Sequence, residues 1–197
     1  MTWIEGFAVF FGILCVALTI RQNIWCWPTG LIQVSLYVYI FSSVRLYSDV
    51  VLHVFYIGLQ LYGWHHWLHG GKDQTELRVS RLSAGSLRNW ITAVIAGTLL
   101  WGFGMSTLTN GSVPYPDAFT TVCSLCAQWL MVQKRVESWF FWIAVDLAAI
   151  TIYFYKGLTL TAILYIVFLG MAIFGLLSWR RCLNAPSEIN ENGTHAG

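Results

Sequence analysis

Seven long apolar segments, separated by short polar turns, constrain this chain more than any other feature. They cover about residues 3–20, 28–44, 47–68, 89–107, 115–133, 138–155 and 159–179. Most approach the ~20 residues that a helix needs to cross ~30 Å of hydrocarbon. Charged residues make up only 10% of the chain, against about a quarter in a soluble domain. The segments are too continuous for barrel strands, so we predict an all-α membrane protein with seven transmembrane helices.

The distribution of lysine and arginine predicts how these helices are oriented. Nine of the eleven basic residues fall on one side of the predicted bundle: Arg21, Lys72, Arg78, Arg81, Arg88, Lys134, Arg135, Arg180 and Arg181. The other side holds only Arg45 and Lys156. Because cytoplasmic loops are enriched in basic residues, we expect the N-terminus outside and the C-terminus in the cytoplasm. The net charge of +2 gives no indication of a nucleic-acid partner.

A weak internal repeat relates the two halves of the chain. A shift of 112 residues brings Gly63 onto Gly175, Trp67 onto Trp179 and Trp27 onto Trp139. Similar helical units in a membrane commonly enclose a pathway at their interface.

The repeat predicts one transmembrane domain, residues 1–183, in a 3+1+3 arrangement. Repeat one covers about 3–68 and repeat two about 115–179, joined by a linking helix at about 89–107. Because the number of linking helices is odd, the two repeats should be parallel rather than inverted. We expect the polar tail, residues 184–197, to be disordered and cytoplasmic.

Polar and aromatic residues form stripes at helical spacing on three of the segments. The third segment carries His53, Tyr56, Gln60, Trp64 and Trp67, the sixth carries Trp139, Trp142, Asp146 and Tyr153, and the second carries Gln33 and Tyr37. An unpaired polar group is costly at membrane depth, so these faces should look inward. His53 fits packing and ligand contact equally well.

Asp146 lies about eight residues into the sixth segment, or ~12 Å along a helix axis. No lysine or arginine lies at a comparable depth in any segment. The carboxylate must therefore be protonated, hydrated, bound to a metal ion or matched by a positive ligand. A structural role between helices is the alternative. Trp139 and Trp142 share its face, and tryptophan attracts flat cations, so we favour a ligand.

Other polar and aromatic residues have simpler interpretations. The tryptophans near segment ends fit an interfacial aromatic belt: Trp3, Trp25, Trp27, Trp67, Trp90 and Trp179. The Cys123–Cys126 pair lies in an apolar segment and fits small residues on a packed helix. Three histidines, His65, His66 and His69, fit a solvated helix end better than a metal site. No catalytic motif is present, and we predict neither an enzyme nor a cofactor or metal.

Several of these residues together resemble the PnuC family of bacterial vitamin transporters, over about residues 3–180. The matching positions are Trp27-Pro28-x-Gly30, Tyr56-x-x-x-Gln60-x-Tyr62-Gly63-Trp64-x-x-Trp67, Glu137-Ser138-Trp139-x-x-Trp142-x-x-x-Asp146, Gly157-Leu158 and Ala162-x-x-Tyr165. The resemblance implies a fold similar to SWEET transporters and a homotrimer in the bacterial inner membrane. It also implies facilitated diffusion of a vitamin precursor, usually nicotinamide riboside, which a cytoplasmic kinase then traps.

The stripes and the resemblance together predict a substrate site near the midplane, between the second, third, sixth and seventh segments. We expect it to contain Gln33, Tyr37, Gln60, Trp64, Trp139, Trp142, Asp146 and Tyr165. Members similar to the enterobacterial riboside transporters carry Asn at the positions of Asp146 and Gln60. Thiamine, another cation, and riboflavin therefore stay open as substrates. A proton-coupled carrier and a ligand-binding membrane receptor are further alternatives.

Overall fold

The structure is a computed structural model that describes residues 3–43, 47–108 and 114–184. Seven α-helices account for most of these residues: α1 Trp3–Ile20, α2 Cys26–Ser43, α3 Tyr47–His69, α4 Ala84–Leu108, α5 Pro114–Val132, α6 Ser138–Tyr155 and α7 Thr159–Asn184. A short 3-10 helix, Lys72–Gln74, lies between α3 and α4. The prediction of an all-helical chain with seven helices is confirmed.

Two helix boundaries differ from the prediction by about five residues because polar residues extend the helices. α4 begins at Ala84 instead of 89, where Ser83 caps it by accepting a hydrogen bond from the Ser86 N–H at 3.2 Å. α7 continues to Asn184 through Arg180 and Arg181, since cations near a helix C-terminus are favourable. The remainder of the predicted tail lies outside the described residues, as do Arg45 and the predicted end of the second segment.

Within the described residues, four helices are long and apolar enough, by length and composition, to cross a membrane: α1, α4, α6 and α7. The less apolar α2, α3 and α5 carry amide side chains within their length, among them Gln33, Gln60 and Gln128. Polar groups of this kind lower the hydropathy of a helix whose polar face looks into a bundle. The apolar helices therefore identify a multi-pass membrane protein, and the other three contribute amide side chains to its interior.

Helix packing follows the same pattern in the two halves of the chain. α1 packs on α2 and α2 on α3, and in the second half α5 packs on α6 and α6 on α7. Contacts of α1 with α7 and of α3 with α5 join the two triplets, and α4 packs on α5. Under the 112-residue shift, the α1–α7 contact corresponds to the α5–α3 contact.

Four tryptophans form one buried cluster between the triplets, which we call the tryptophan cluster: Trp27, Trp67, Trp139 and Trp179. The Trp27 ring lies where a Cβ at Gly63 would be, and the Trp139 ring lies where a Cβ at Gly175 would be. Glycine is thus needed at both positions, because any side chain there would overlap the tryptophan ring of the neighbouring helix. None of the four rings is more than 3% exposed. The predicted interfacial belt is therefore wrong for Trp27, Trp67 and Trp179, although Trp3 and Trp25 are exposed.

The tryptophan cluster is held by hydrogen bonds that cross between the triplets. The Trp67 Nε1–H of α3 donates to the Met131 carbonyl of α5 at 3.1 Å. At the aligned position, the Trp179 Nε1–H of α7 donates to the Thr19 carbonyl of α1, also at 3.1 Å. Residues 19 and 131 are themselves 112 apart, so this pair of bonds follows the sequence repeat.

The turns that carry most of the basic residues lie at one end of the bundle, which we call the basic end. It contains the α1–α2 turn, the α5–α6 turn and the segment between α3 and α4. These turns contact each other there: Ser80 pairs with Arg135 in an isolated parallel bridge, and the Lys134 Nζ donates to the Leu77 carbonyl. At the opposite end, Lys156 forms an ion pair with Asp117 at 3.3 Å.

Candidate functional site

A small cavity of about 80 Å³ lies between the triplets, next to the tryptophan cluster. It is lined by Cys15, Val16, Thr19, Cys26, Trp27, Gln60, Gln128, Met131, Trp139 and Trp142. A volume of this size holds several water molecules. Trp142 is the fifth residue of α6, only ~6 Å along the axis from the start of the helix. The cavity therefore lies nearer the basic end than the predicted midplane.

Two amide side chains from different triplets, Gln60 of α3 and Gln128 of α5, line this cavity. Gln60 is only 8% exposed, and among the described residues neither amide takes part in a side-chain hydrogen bond. The Gln60 amide lies where a Cβ at Gly30 would be, so the glycine of the Trp-Pro-x-Gly motif makes room for it. Buried amides without a protein partner are costly unless water or a ligand satisfies them.

The two tryptophans predicted to flank a substrate have different surroundings. Trp139 lines the cavity but is 2% exposed, and its ring meets Trp179 edge-on at 5.5 Å within the tryptophan cluster. Trp142, one turn later, is half-buried and also lines the cavity. Trp142 is therefore better placed to stack on a ligand, while Trp139 also closes the cavity toward the basic end.

Asp146 lies one turn beyond Trp142 on the same helix and is 4% exposed. Within the described residues, no hydrogen bond or ion pair reaches its carboxylate. The cation predicted to match this carboxylate is thus not supplied by the described side chains. A protonated or hydrated carboxyl and a cationic ligand stay open as its form in the membrane.

Two groups of aromatic rings lie farther toward the opposite end. Tyr165 belongs to one of them, and Tyr37 contacts the other. Phe41, His53 and Tyr56 form one group, with ring centroids 5.0 and 5.9 Å apart along the series. Their aligned partners Tyr153, Tyr165 and Phe168 form a second group, with spacings of 5.3 and 6.1 Å. We call these the opposite-end rings.

Tyr37 connects the opposite-end rings to the region of Asp146. It stacks on Phe41 at 5.7 Å and also contacts His53. Tyr165 is close enough to Tyr153, Asp146 and Tyr37 to interact electrostatically with each of them. Apart from Gln33 and Trp64, the predicted residues therefore extend as a column through the bundle, from the cavity past Asp146 to these rings.

Two of the predicted residues stand apart from the cavity. The Gln33 side chain packs where a Cβ at Gly12 would be, on the α1–α2 contact. Trp64 is 36% exposed, because it lies on a more outward face of α3 than Gln60 and Trp67. Their assignment to the substrate site remains a prediction.

Sequence reasoning missed Gln128 and the contribution of α1. Gln128 lies in an apolar helix at membrane depth, and the argument that turned the stripes of α2, α3 and α6 inward applies to it equally. The α1 residues Cys15, Val16 and Thr19 line the cavity without any polar pattern that would indicate it. The nearby Cys123, in contrast, is packed in an apolar cluster, as predicted for the Cys123–Cys126 pair.

Comparison with known proteins connects this geometry to transport. The family model described as nicotinamide mononucleotide transporter matches residues 2–181. The chain is 25% identical over 204 residues to the nicotinamide riboside transporter PnuC of Escherichia coli, covering 91% of this chain and 85% of that protein. It is 28% identical over 197 residues to the PnuC of Neisseria mucosa, covering 94% and 75%. The riboflavin/roseoflavin transporter RibM of Streptomyces davaonensis is 25% identical over 185 residues, covering 90% and 84%.

A solved structure agrees with these relatives. The crystal structure of the vitamin B3 transporter PnuC superposes with a TM-score of 0.73 at 28% identity, covering 92% of this chain and 82% of that chain. The family match runs through all seven helices and includes the cavity-lining residues. The chain belongs to the PnuC family of membrane transporters and is a multi-pass transporter rather than an enzyme.

Proposed function

We propose that this chain carries nicotinamide riboside across the bacterial inner membrane by facilitated diffusion. The observation that carries the proposal is the cavity between the triplets, where Gln60 and Gln128 offer unpaired amides beside the ring of Trp142. Nicotinamide riboside combines a flat cationic ring with a carboxamide and ribose hydroxyls. Amides pair with a carboxamide as both donor and acceptor, and an indole face attracts a cationic ring.

Asp146 adds an electrostatic reason to prefer a cation. Its buried carboxylate has no cationic partner among the described residues and lies one turn from the cavity. A cationic substrate passing along the column would offset the desolvation of this carboxylate. Thiamine shares the positive charge but not the carboxamide, and riboflavin lacks the fixed charge. The two unpaired glutamine amides therefore favour the riboside over thiamine.

We further propose that α1–α3 and α5–α7 are parallel repeats joined by α4, as in SWEET transporters. Matching tryptophan–glycine contacts, matching cross-triplet hydrogen bonds and matching ring groups, all 112 residues apart, support this proposal. The basic end would face the cytoplasm by the positive-inside rule. By resemblance to the family, the protein would be a homotrimer, and a cytoplasmic kinase would trap the entering riboside.

A thermal-shift titration of the purified protein tests the choice of substrate. Nicotinamide riboside, thiamine and riboflavin are added separately, and a ligand that binds the folded state raises the unfolding temperature by mass action. We expect the riboside to give the largest rise at equal concentration. A larger rise with thiamine or riboflavin would overturn the assignment.

Substitution of Asp146 tests charge matching. We expect Asp146→Ala to reduce riboside uptake at least ten-fold, equivalent to ~1.4 kcal/mol, while the protein still inserts and remains folded. Asp146→Asn keeps the shape and some hydrogen bonding but removes the charge, so it should fall between Asp146→Ala and the parent. Uptake by Asp146→Ala at the parent rate would show that charge matching is wrong.

A proton-coupled carrier would use Asp146 as a proton relay, and a receptor would bind ligand without moving it. Uptake into proteoliposomes with a collapsed proton gradient separates the first from a facilitator, which still equilibrates its substrate. Counterflow of labelled riboside separates the second, because a receptor gives none.

A further inference from the structure

The segment between α3 and α4, residues 70–83, crosses the basic end directly below the tryptophan cluster. We call it the strap. The Leu77 N–H donates to the Trp67 carbonyl at 3.0 Å, which ties the strap to the first triplet. The Ser80 N–H donates to the Lys134 carbonyl at 3.1 Å, and the Val136 N–H donates to the Ser80 carbonyl at 3.0 Å. The strap therefore bridges the two triplets at the end where the cavity is closed.

Apolar side chains of the strap extend this closure. Leu77 and Val79 pack against the buried apolar core that contains the tryptophan cluster. The Leu82 N–H donates to the buried Glu137 carboxylate at 3.0 Å, which fixes the last part of the strap at the start of α6. A path from the cavity to the basic end must pass both the tryptophan cluster and the strap.

Lys134 is a buried cation that binds the strap. Its Nζ donates to the Leu77 carbonyl at 2.9 Å and lies 4.4 Å from the centroid of the Trp67 ring. The residue is 6% exposed, and within the described residues no carboxylate lies within salt-bridge distance of it. Burial lowers the pKa of the Lys134 ammonium, and the charge of Glu76 opposes that shift. A buried cation of this kind is held only while the strap carbonyl and the ring are in place.

The position aligned with Lys134 in the first half of the chain carries no cation. Lys134 aligns with Gln22 under the 112-residue shift, and both take up a left-handed backbone, with φ of 53° and 54°. The two turns share their backbone hydrogen bonds, but Gln22 donates to the Cys182 sulfur at 3.2 Å instead of holding a strap. Closing the turn therefore does not require a lysine, and the strap is the contact that uses it.

An open recess lies beside the strap and gives it room to move. Its volume is about 590 Å³, and it is lined by Gln22, Thr75, Glu76, Leu77, Arg78, Val79, Lys134 and Cys182. The part of the strap from Thr75 to Val79 therefore borders open space on one side.

We propose that the strap and Lys134 form a latch that holds the basic end closed, and that the Lys134–Leu77 contact must open before the cavity connects to that side. The proposal rests on the carrier function in one respect: the path that opens at the basic end would let the substrate leave the cavity. The latch itself is a property of the folded chain that can be measured without transport.

Alkylation of Cys15 and Cys26 tests the latch, because both thiols line the cavity. In a Cys123→Ala/Cys126→Ala/Cys182→Ser background, membrane vesicles are treated with a membrane-impermeant maleimide from the basic-end side. The native Cys182, which is exposed at that end, identifies the side in a separate sample. We expect Lys134→Gln to raise the labelling rate about five-fold, the change that ~1 kcal/mol of lost closure would give.

Two variants control for charge and fold. Lys134→Arg keeps the cation and its ring contact and should label close to the parent rate. Arg180→Gln removes another cation that lies over an aromatic ring, Phe140, at 5.1 Å, away from the strap, and should leave labelling unchanged. Equal labelling of Lys134→Gln and the parent would overturn the latch, as would an equal rise in Arg180→Gln.

A disulfide gives an independent test if Lys134→Gln fails to fold. Ser80 and Arg135 are bridge partners, and paired backbones lie ~4.8 Å apart, within the range that a disulfide spans. Ser80→Cys/Arg135→Cys in the same background should label the cavity thiols more slowly when oxidised and regain the parent rate after reduction and desalting. An oxidised form that labels as fast as the reduced form would contradict the latch. If labelling behaves as expected but no riboside is carried, only the proposed function fails.

Discussion

The two ends of the bundle are built from aligned positions but closed by different chemistry. At the basic end, the tryptophan cluster is at most 3% exposed and is joined across the triplets by two indole hydrogen bonds of 3.1 Å. At the opposite end, the opposite-end rings are half-buried, and the ring contacts within each group join helices of one triplet. A hydroxyl hydrogen bond of 2.8 Å between Tyr56 and Ser124 adds to them.

The basic end is therefore closed more firmly than the opposite end. Opening the basic end breaks buried hydrogen bonds and separates packed indoles, both of which are costly. At the opposite end, moving the half-buried rings breaks ring contacts and the hydroxyl hydrogen bond between Tyr56 and Ser124. We therefore expect the two ends to respond differently to matched substitutions.

The largest effect should come from filling the glycine positions under the tryptophan cluster. A Cβ at Gly63 or Gly175 would overlap the Trp27 or Trp139 ring, and overpacking of this kind costs about 1–3 kcal/mol or more. We expect Gly63→Ala and Gly175→Ala each to lower the thermal unfolding temperature and the folded yield.

Gly58→Ala and Gly170→Ala are matched controls, because these glycines are also 112 residues apart on α3 and α7 and have open space around them. Both should be as stable as the parent or slightly more stable, since alanine favours a helix. A similar loss of stability in all four variants would show that the tryptophan–glycine contacts are not special.

A smaller effect should come from removing the cross-triplet donors. Trp67→Phe and Trp179→Phe each lose one indole N–H and leave the Met131 or Thr19 carbonyl without it. We expect a destabilisation of about 1.5 kcal/mol in each case, measured by thermal unfolding of the purified protein. Trp67→Phe should be the more destabilising of the two, because the Trp67 ring also contacts the buried Lys134 ammonium. The exposed Trp25→Phe is a near-neutral control, and a loss as small as that of Trp25→Phe in either variant would show that the indole hydrogen bonds do not hold the triplets together.

The smallest effect should come from the opposite end. Tyr56→Phe removes the hydroxyl bond to Ser124 from a half-buried position, so we expect a loss of no more than about 1 kcal/mol. Measured in the same unfolding assay, it should be milder than Trp67→Phe. A larger loss than that of Trp67→Phe would reverse the comparison of the two ends.

The sequence predicted the seven helices better than it predicted the cavity. Long apolar segments carry that information locally. The interfacial reading of Trp27, Trp67 and Trp179 was wrong because position near a segment end does not distinguish a lipid-facing ring from one packed between helices. Contacts between different helices distinguish them: Trp27 packs on Gly63, and the Trp67 and Trp179 indoles donate hydrogen bonds across the triplets.

The candidate site could be predicted only in part for a similar reason. Polar groups at membrane depth, such as Gln60 and Asp146, stand out in an apolar sequence and are buried as expected. Periodicity placed Trp64 with Gln60, but the packing of α3 leaves Trp64 on a more exposed face. The cavity walls supplied by α1 depend on how the triplets meet, and no local pattern records that.

Counterflow of radiolabelled nicotinamide riboside into proteoliposomes tests most directly whether an aqueous site between the two triplets carries a cationic riboside. Liposomes preloaded with unlabelled riboside, with no proton gradient, should accumulate label transiently, and protein-free liposomes should not. Parent protein that is folded and inserted but gives no counterflow would contradict the account.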